Sequence, residues 1–329
     1  MWPPTSAGKW ELAACRRDLV SGWQYAVSMT ALDQAAALVA LLRERPGRRG
    51  WPEIAAEVAY SGDAQTVWNH LTDTDALVAD PRLETVLRDA RSDVMAWEKA
   101  DLRLVTVLDT DYPARLLDVR ETPPFLFARG DLRREDEGMS VVGSRRASSG
   151  GRRLAGEAAQ LLVARGLTVI AGLAAGIDTT AHRAALDAGG RTVAFLGTGI
   201  TKYYPHENKA LQDEIADRGL VLSQFWPDAP PTKRSFPIRN ASMSGYGLAT
   251  IVIEAGETSG TRIQARLAVE HGRPVILMDG VARSTKWGSA LVDRPGVHVA
   301  SNIGELEQVI DRVLDERGSL RRALRSLAS

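Results

Sequence analysis

Up to about residue 100, apolar positions recur three and four apart, the spacing of helix faces. Residues 28–43 are mostly Ala, Leu and Val with polar interruptions, with Thr30 or Asp33 as the cap, and Arg45-Pro46-Gly47 stops the run. Pro52-Glu53 opens a second helix that places Ile54, Ala55, Val58 and Ala59 on one face. A third helical stretch covers residues 81–100.

From Leu102 the rhythm changes. Residues 104–108 and 125–128 are short β-rich runs. Strand-like runs at 140–142, 168–170, 192–196, 221–222, 249–253 and 275–277 then alternate with helical stretches at 151–165, 176–188, 208–217, 260–271 and 304–314. Such alternation predicts βαβ units, right-handed crossovers and a mostly parallel sheet. The expected fold class is α/β: a Rossmann-like sheet with helices on both faces, preceded by a small helical domain. The expected division is 1–100 helical, 101–316 Rossmann-like, and 317–329 a short basic tail with Arg321, Arg322 and Arg325 that looks like a helical end. Ligands of such sheets bind at the carboxyl ends of strands, where the strand order reverses.

Composition narrows the class. The 329 residues are 44% hydrophobic and 25% charged, as in an ordinary globular protein. Formal net charge is zero, so any nucleic-acid role must use a local basic patch. The single cysteine, Cys15, excludes an intrachain disulfide and a cysteine-based metal site, and fits a reducing cytoplasm. No secretory signal opens the chain, no apolar run is long enough for a membrane span, and the five histidines show no paired ligand spacing. Neither a metal nor a cofactor is expected. Six of the eight tryptophans lie in the first hundred residues, where packing explains them better than base stacking.

The candidate chemistry lies in five loops. The first, Val142-Gly143-Ser144-Arg145 followed by Ser148, leads from a strand into a helix, where amides and the helix dipole favour an anion. Ser144 and Ser148 add hydroxyls, and Arg145 adds a fork that suits phosphate. The second runs from Gly172 through Gly176 and Asp178 to His182; Asp178 caps the helix or orients an arginine, and His182 reads as structural. The third is Gly197-Thr198-Gly199, another amide turn at a strand end. The fourth, residues 230–240, is a proline-braced loop setting Lys233, Arg234 and Arg239 around Phe236, next to Asn240, a mix that suits a nucleic-acid strand. The fifth places Ser259 and Gly260 at a further helix start.

In order and spacing these loops resemble the DprA/Smf family (DNA-processing protein A). The resemblance rests on Val142-Gly143-Ser144-Arg145, residues 171–182, 196–208, 236–240 and 252–265, with Tyr112-Pro113-Ala114-Arg115-Leu116-Leu117 upstream, and covers about 102–314. It implies a protein without known enzymatic activity that binds and protects single-stranded DNA, helps load the RecA recombinase in natural transformation (competence), and forms homodimers through the Rossmann-like domain. It also implies that Gly143, Ser144, Arg145, Gly172, Gly176, Lys233, Phe236, Arg239 and Asn240 line the DNA pocket. The chain departs from the family pattern where Asn240 is followed by Ala241-Ser242 rather than arginine, and where Gln264 replaces a small hydroxyl residue. The usual C-terminal winged helix is also missing.

The expected function is single-stranded DNA binding in DNA processing and recombination, with the phosphate backbone held in glycine-rich loops. The alternative is a Rossmann-like nucleotide sensor or nucleotide-cleaving enzyme, with Glu254 and Glu257 as acid or base, in a setting such as defence against foreign DNA.

Overall fold

A computed structural model describes residues 30–72 and 80–328. Cys15, Trp2, Trp10, Trp23 and the start of the 28–43 run lie outside the described residues.

The helical part contains α1 (Ala31–Glu44), α2 (Trp51–Ser61), α3 (Ala64–Thr72) and α4 (Pro81–Lys99). Both capping candidates for α1 act together: Thr30 accepts from the Asp33 amide, and the Asp33 carboxylate reaches back to Thr30. The α/β part follows as β1 (Arg103–Thr106), β2 (Phe125–Gly130), β3 (Gly138–Gly143), α5 (Ser149–Ala164), β4 (Thr168–Ala171), α6 (Ile177–Asp187), β5 (Thr192–Phe195), α7 (Lys209–Arg218) and β6 (Leu220–Ser223). It continues with α8 (Ser235–Tyr246), β7 (Thr250–Glu254), α9 (Thr261–Glu270), β8 (Val275–Met278), α10 (Asp279–Ser284), α11 (Lys286–Val292), β9 (Val297–Ala300) and α12 (Ile303–Ala328).

One sheet joins all nine strands in the order β1-β2-β6-β5-β4-β3-β7-β8-β9. The seven strands from β6 to β9 are parallel, while β1 and β2 pair antiparallel at one edge. Strand order reverses at β3, whose neighbours are β4 and β7. A crevice therefore opens beyond the carboxyl ends of β3 and β7.

The strands alternate faces as a doubly covered sheet requires. Met139 and Val141 of β3, and Ile251 and Ile253 of β7, pack against α5, α6 and α12. Val142 and Val252, one residue out of step, join the opposite core. That second core takes in α7, α8, α9 and the helical part, so the helices α1 to α4 share a core with the sheet. Trp51, Trp97 and Trp226 pack with Phe125 and Phe127 at centroid distances of 4.7–5.8 Å. Trp51 and Trp97 are packing residues, as the pattern implied.

The structure differs from the sequence expectation in two places. Residues 235–240 form the first turns of α8 instead of a loop, because Pro237 falls at the third position, where no intrahelical N–H bond is lost. Three short helices, α3, α10 and α11, and the edge strand β9 were not anticipated. Residues 317–328 continue α12 without a break, in line with the basic helical end expected there.

Candidate nucleic-acid interface

A cleft of about 390 Å3 opens at the switch point. Its walls come from the β3–α5 loop (Gly143, Ser144, Arg145), the first turns of α8 (Phe236, Arg239, Asn240) and the start of α9 (Ser259, Gly260, Gln264). A smaller cavity of about 200 Å3 shares Arg145, Phe236 and Arg239 and extends to Gly172, Gly197 and Tyr204. Four of the five predicted loops thus meet directly, and the third contributes Gly197 at the edge.

Phe236 is the centre of the arrangement. The Arg145 guanidinium lies 4.9 Å from its ring centroid and that of Arg239 lies 6.0 Å away. Tyr204, 41% exposed, leans on the same ring at 5.5 Å. A cation over an aromatic face is held in place without losing its charge. Arg145 is exposed and makes no ion pair among the described residues; the same holds for Arg146, Lys233 and Arg234. Lys233 and Arg234 stand on the surface ahead of α8 and line neither cavity.

Arg239 is different. It is buried, and it donates from Nη1 to the carbonyl oxygens of Gly172 and Phe195 and from Nε to Asn240 Oδ1. Burial pulls its guanidinium down to about 10, against the pull of Asp178. A Cβ at Gly172 would overlap this guanidinium, so any side chain there would displace Arg239 from its carbonyl partners. Gly176, with φ +83°, has its own reason: a Cβ would strike the Ser144 carbonyl, so the first two loops touch only through a bare backbone.

The amides of these loops are largely spent inside the protein. Glu254, at the end of β7, accepts from the Ser148 amide and hydroxyl, and Ser148 Oγ in turn accepts from Gly151 N as the α5 cap. The α5 start thus already holds an anion, the protein's own carboxylate, and Ser148 has no hydroxyl left for a phosphate. Asp178 plays the same part for the second loop, accepting from Gly172 N at 3.0 Å and Ala174 N at 3.4 Å rather than capping α6. Burial raises its pKa, opposed by Arg239 and these two amides. Thr198 is buried, and the Phe236 ring covers Gly197, so the third loop presents no open amide turn. At the fifth loop, Ser259 Oγ accepts from Thr261 N, and the Gly260 carbonyl lies within reach of Asn240 Nδ2. The charge these loops leave unpaired therefore sits on side chains, above all Arg145.

The acid and base of the alternative reading are engaged too. Besides Glu254, Glu257 accepts from the Lys286 amide. His182 is buried, with Nδ1 on Thr192 Oγ1, and burial, then Arg239, holds it down at about 3. It is a neutral structural group. Among the described residues no cluster suits a metal ion, and no helix is long and apolar enough to cross a membrane. Sequence reasoning did not single out Tyr204 or Arg146; their signal was position, one next to the third loop and the other next to Arg145.

Comparison with known proteins gives one family model, described as DNA recombination-mediator protein A, matching residues 103–310. The DNA processing protein DprA of Streptococcus pneumoniae is 41% identical over 176 residues, which is 53% of this chain and 62% of that protein. Protein Smf of Synechocystis is 39% identical over 178 residues, 53% of this chain and 45% of that protein. The chain's match therefore spans less than two thirds of these curated relatives. The X-ray structure of the Streptococcus pneumoniae protein superposes with a TM-score of 0.61 at 28% identity, covering 84% of this chain and 93% of that one. A structure of DNA processing protein A from Helicobacter pylori, described for its single-stranded DNA binding mode, superposes at 0.56 with 24% identity and covers 64% and 97%. That last likeness speaks for the fold alone.

Proposed function

The chain belongs to the DNA recombination-mediator protein A family, and from that premise we propose that it binds single-stranded DNA across the cleft at the β3–β7 crevice. The observation that carries the reading is Arg145, stacked on Phe236 at the cleft mouth with no carboxylate partner. A guanidinium that is held in place yet unpaired is suited to a phosphate. Arg146 beside it, and Lys233 and Arg234 ahead of α8, extend the positive surface. Tyr204 and the rim of Phe236 offer a base an aromatic neighbour. Arg239 shapes the cleft floor and adds positive field there; Gly172 and Gly176 let the loops close.

The setting is DNA processing and recombination in the cytoplasm. There the protein, as a homodimer through its Rossmann-like part, passes the strand to RecA. No step of this activity needs a metal, a cofactor or a bond-making residue.

The test is anisotropy of a labelled single-stranded oligonucleotide titrated with the protein at two salt concentrations, with duplex as competitor. Binding should favour the single strand and fall with salt, with a log–log slope of about −0.7 per phosphate engaged, or about −3 for four. No binding at low salt would overturn the reading.

A further inference from the structure

The cleft has two chemically distinct halves. Its mouth carries the exposed cations Arg145 and Arg146. Further in, the wall carries the apolar side chains of Val142, 3% exposed, Met243, 1% exposed, and Ile263, with the buried Arg239 on the floor. Arg239 already spends Nε and Nη1 on protein oxygens, so it keeps few donors for a phosphate driven past the mouth.

One polar side chain in the inner half is unexplained. Gln264, on α9, is 1% exposed, and its Nε2 meets no acceptor. It lines the cleft. Buried amides are normally hydrogen-bonded, and an exception points to a missing partner. The residue is also where this chain departs from the pattern it resembles, since a small hydroxyl is replaced by a longer amide.

We propose that the inner half of the cleft seats one nucleobase of the bound strand, and that Gln264 reads that base's hydrogen-bonding edge. The inference rests on the single-strand reading above. A primary amide carries a donor and an acceptor side by side, and so does each exposed base edge. Val142, Met243 and Ile263 supply the apolar walls for the ring. The phosphate of the same nucleotide stays at the mouth, next to Arg145.

The experiment compares an oligothymidine strand with one of equal length built from N3-methylthymidine, using the full chain. The methyl group blocks the base edge and keeps the ring, its stacking and the phosphate charge. The wild-type protein should bind the methylated strand roughly five- to tenfold more weakly. In Gln264→Leu the two affinities should converge to within about twofold while the salt slope is unchanged. Gln264→Thr, which restores a small hydroxyl, serves as a second variant with the same expected convergence, and thermal unfolding checks that each variant is folded. Equal binding of both strands by the wild type, or full discrimination retained in folded Gln264 variants, would overturn the subsite while leaving single-strand binding standing. Failure of the wild type to bind either strand would instead remove the single-strand reading itself, and the subsite with it.

Discussion

Two buried aspartates sit at opposite ends of the same sheet, and the chain surrounds them differently. Asp136, just ahead of β3 at the amino ends of the strands, accepts from Arg191 Nε at 2.9 Å, from the Tyr246 hydroxyl at 2.9 Å and from Thr168. Arg115 closes the cluster by donating to the carbonyl oxygens of Asp136 and Tyr246. Burial pushes the Asp136 carboxyl up, but the hydrogen bonds from Thr168, Arg191 and Tyr246 together hold it below its ordinary value. Asp178, at the carboxyl ends, receives two backbone amides and no guanidinium, and burial leaves it above its ordinary value. The nearby arginines, Arg239 and Arg145, point their charge at carbonyls and at an aromatic ring. One end is a finished lock. The other keeps two guanidinium groups that no carboxylate grips in an ion pair, although Asp178 lies near both, which is the condition for receiving an anion.

The largest effect that could break this comparison is on stability. Asp136→Ala should lower the unfolding free energy by about 3–5 kcal/mol, since it leaves the buried Tyr246 hydroxyl and Thr168 without their acceptor and the half-buried Arg191 with Asp131 alone. Urea unfolding measures it, and a loss below about 1 kcal/mol would show that the cluster is no lock. The pH sign follows from the depressed carboxyl. Its stabilisation is present above the ordinary aspartate value of 3.8 and is lost as pH falls through the lower folded value. The variant should therefore show a shallower acid limb.

Next in size is binding at the opposite end. Arg145→Ala should weaken single-stranded DNA binding by about 1.5–3 kcal/mol. Because Arg145 is exposed, stability should move by less than about 0.5 kcal/mol. An unchanged affinity in the anisotropy titration would remove Arg145 from the site.

A smaller effect sharpens the contrast between the two carboxylates. Asp178→Asn keeps an oxygen for the Gly172 and Ala174 amides, so neutral-pH stability should change by under about 1 kcal/mol. A raised carboxyl stabilises below its unfolded value, and that contribution is lost as pH rises through the folded value. The variant should lose this decline, which is opposite in sign to the Asp136 limb, and unfolding measured across acid pH would show it.

The smallest effect concerns the outer cations. Lys233→Ala should change affinity little and flatten the salt slope by about 0.7. An unaltered slope would confine the path to the cleft mouth.

Much of this was legible before any coordinates. The alternation of apolar runs with helical stretches set out the parallel sheet, and the loops at strand ends marked its binding edge. The tie between Arg239 and Gly172 was not legible, since it joins residues 67 apart. Nor was the capture of Ser148 by Glu254 across 106 residues. Glycine-rich turns at helix starts read as anion sites, and here the anions are supplied by the chain. The first turns of α8 were hidden because Pro237 and the preceding charges look like a loop, although a helix admits proline in its first turn. Tyr112-Pro113-Ala114-Arg115 carried a family signal whose physical reason appears only with Arg115 tied to Asp136 and Tyr246.

The reversal of strand order at β3 also governs how the molecule is made. Ser140 pairs with Thr250, and closing so long a stretch, roughly a hundred residues, is slow compared with joining neighbours in sequence. A nascent chain ending before β7 can already align β3, β4, β5 and β6, yet it lacks one whole side of the crevice. Pairing of β7 with β3 is thus the step that completes the crevice, late in the making of the chain.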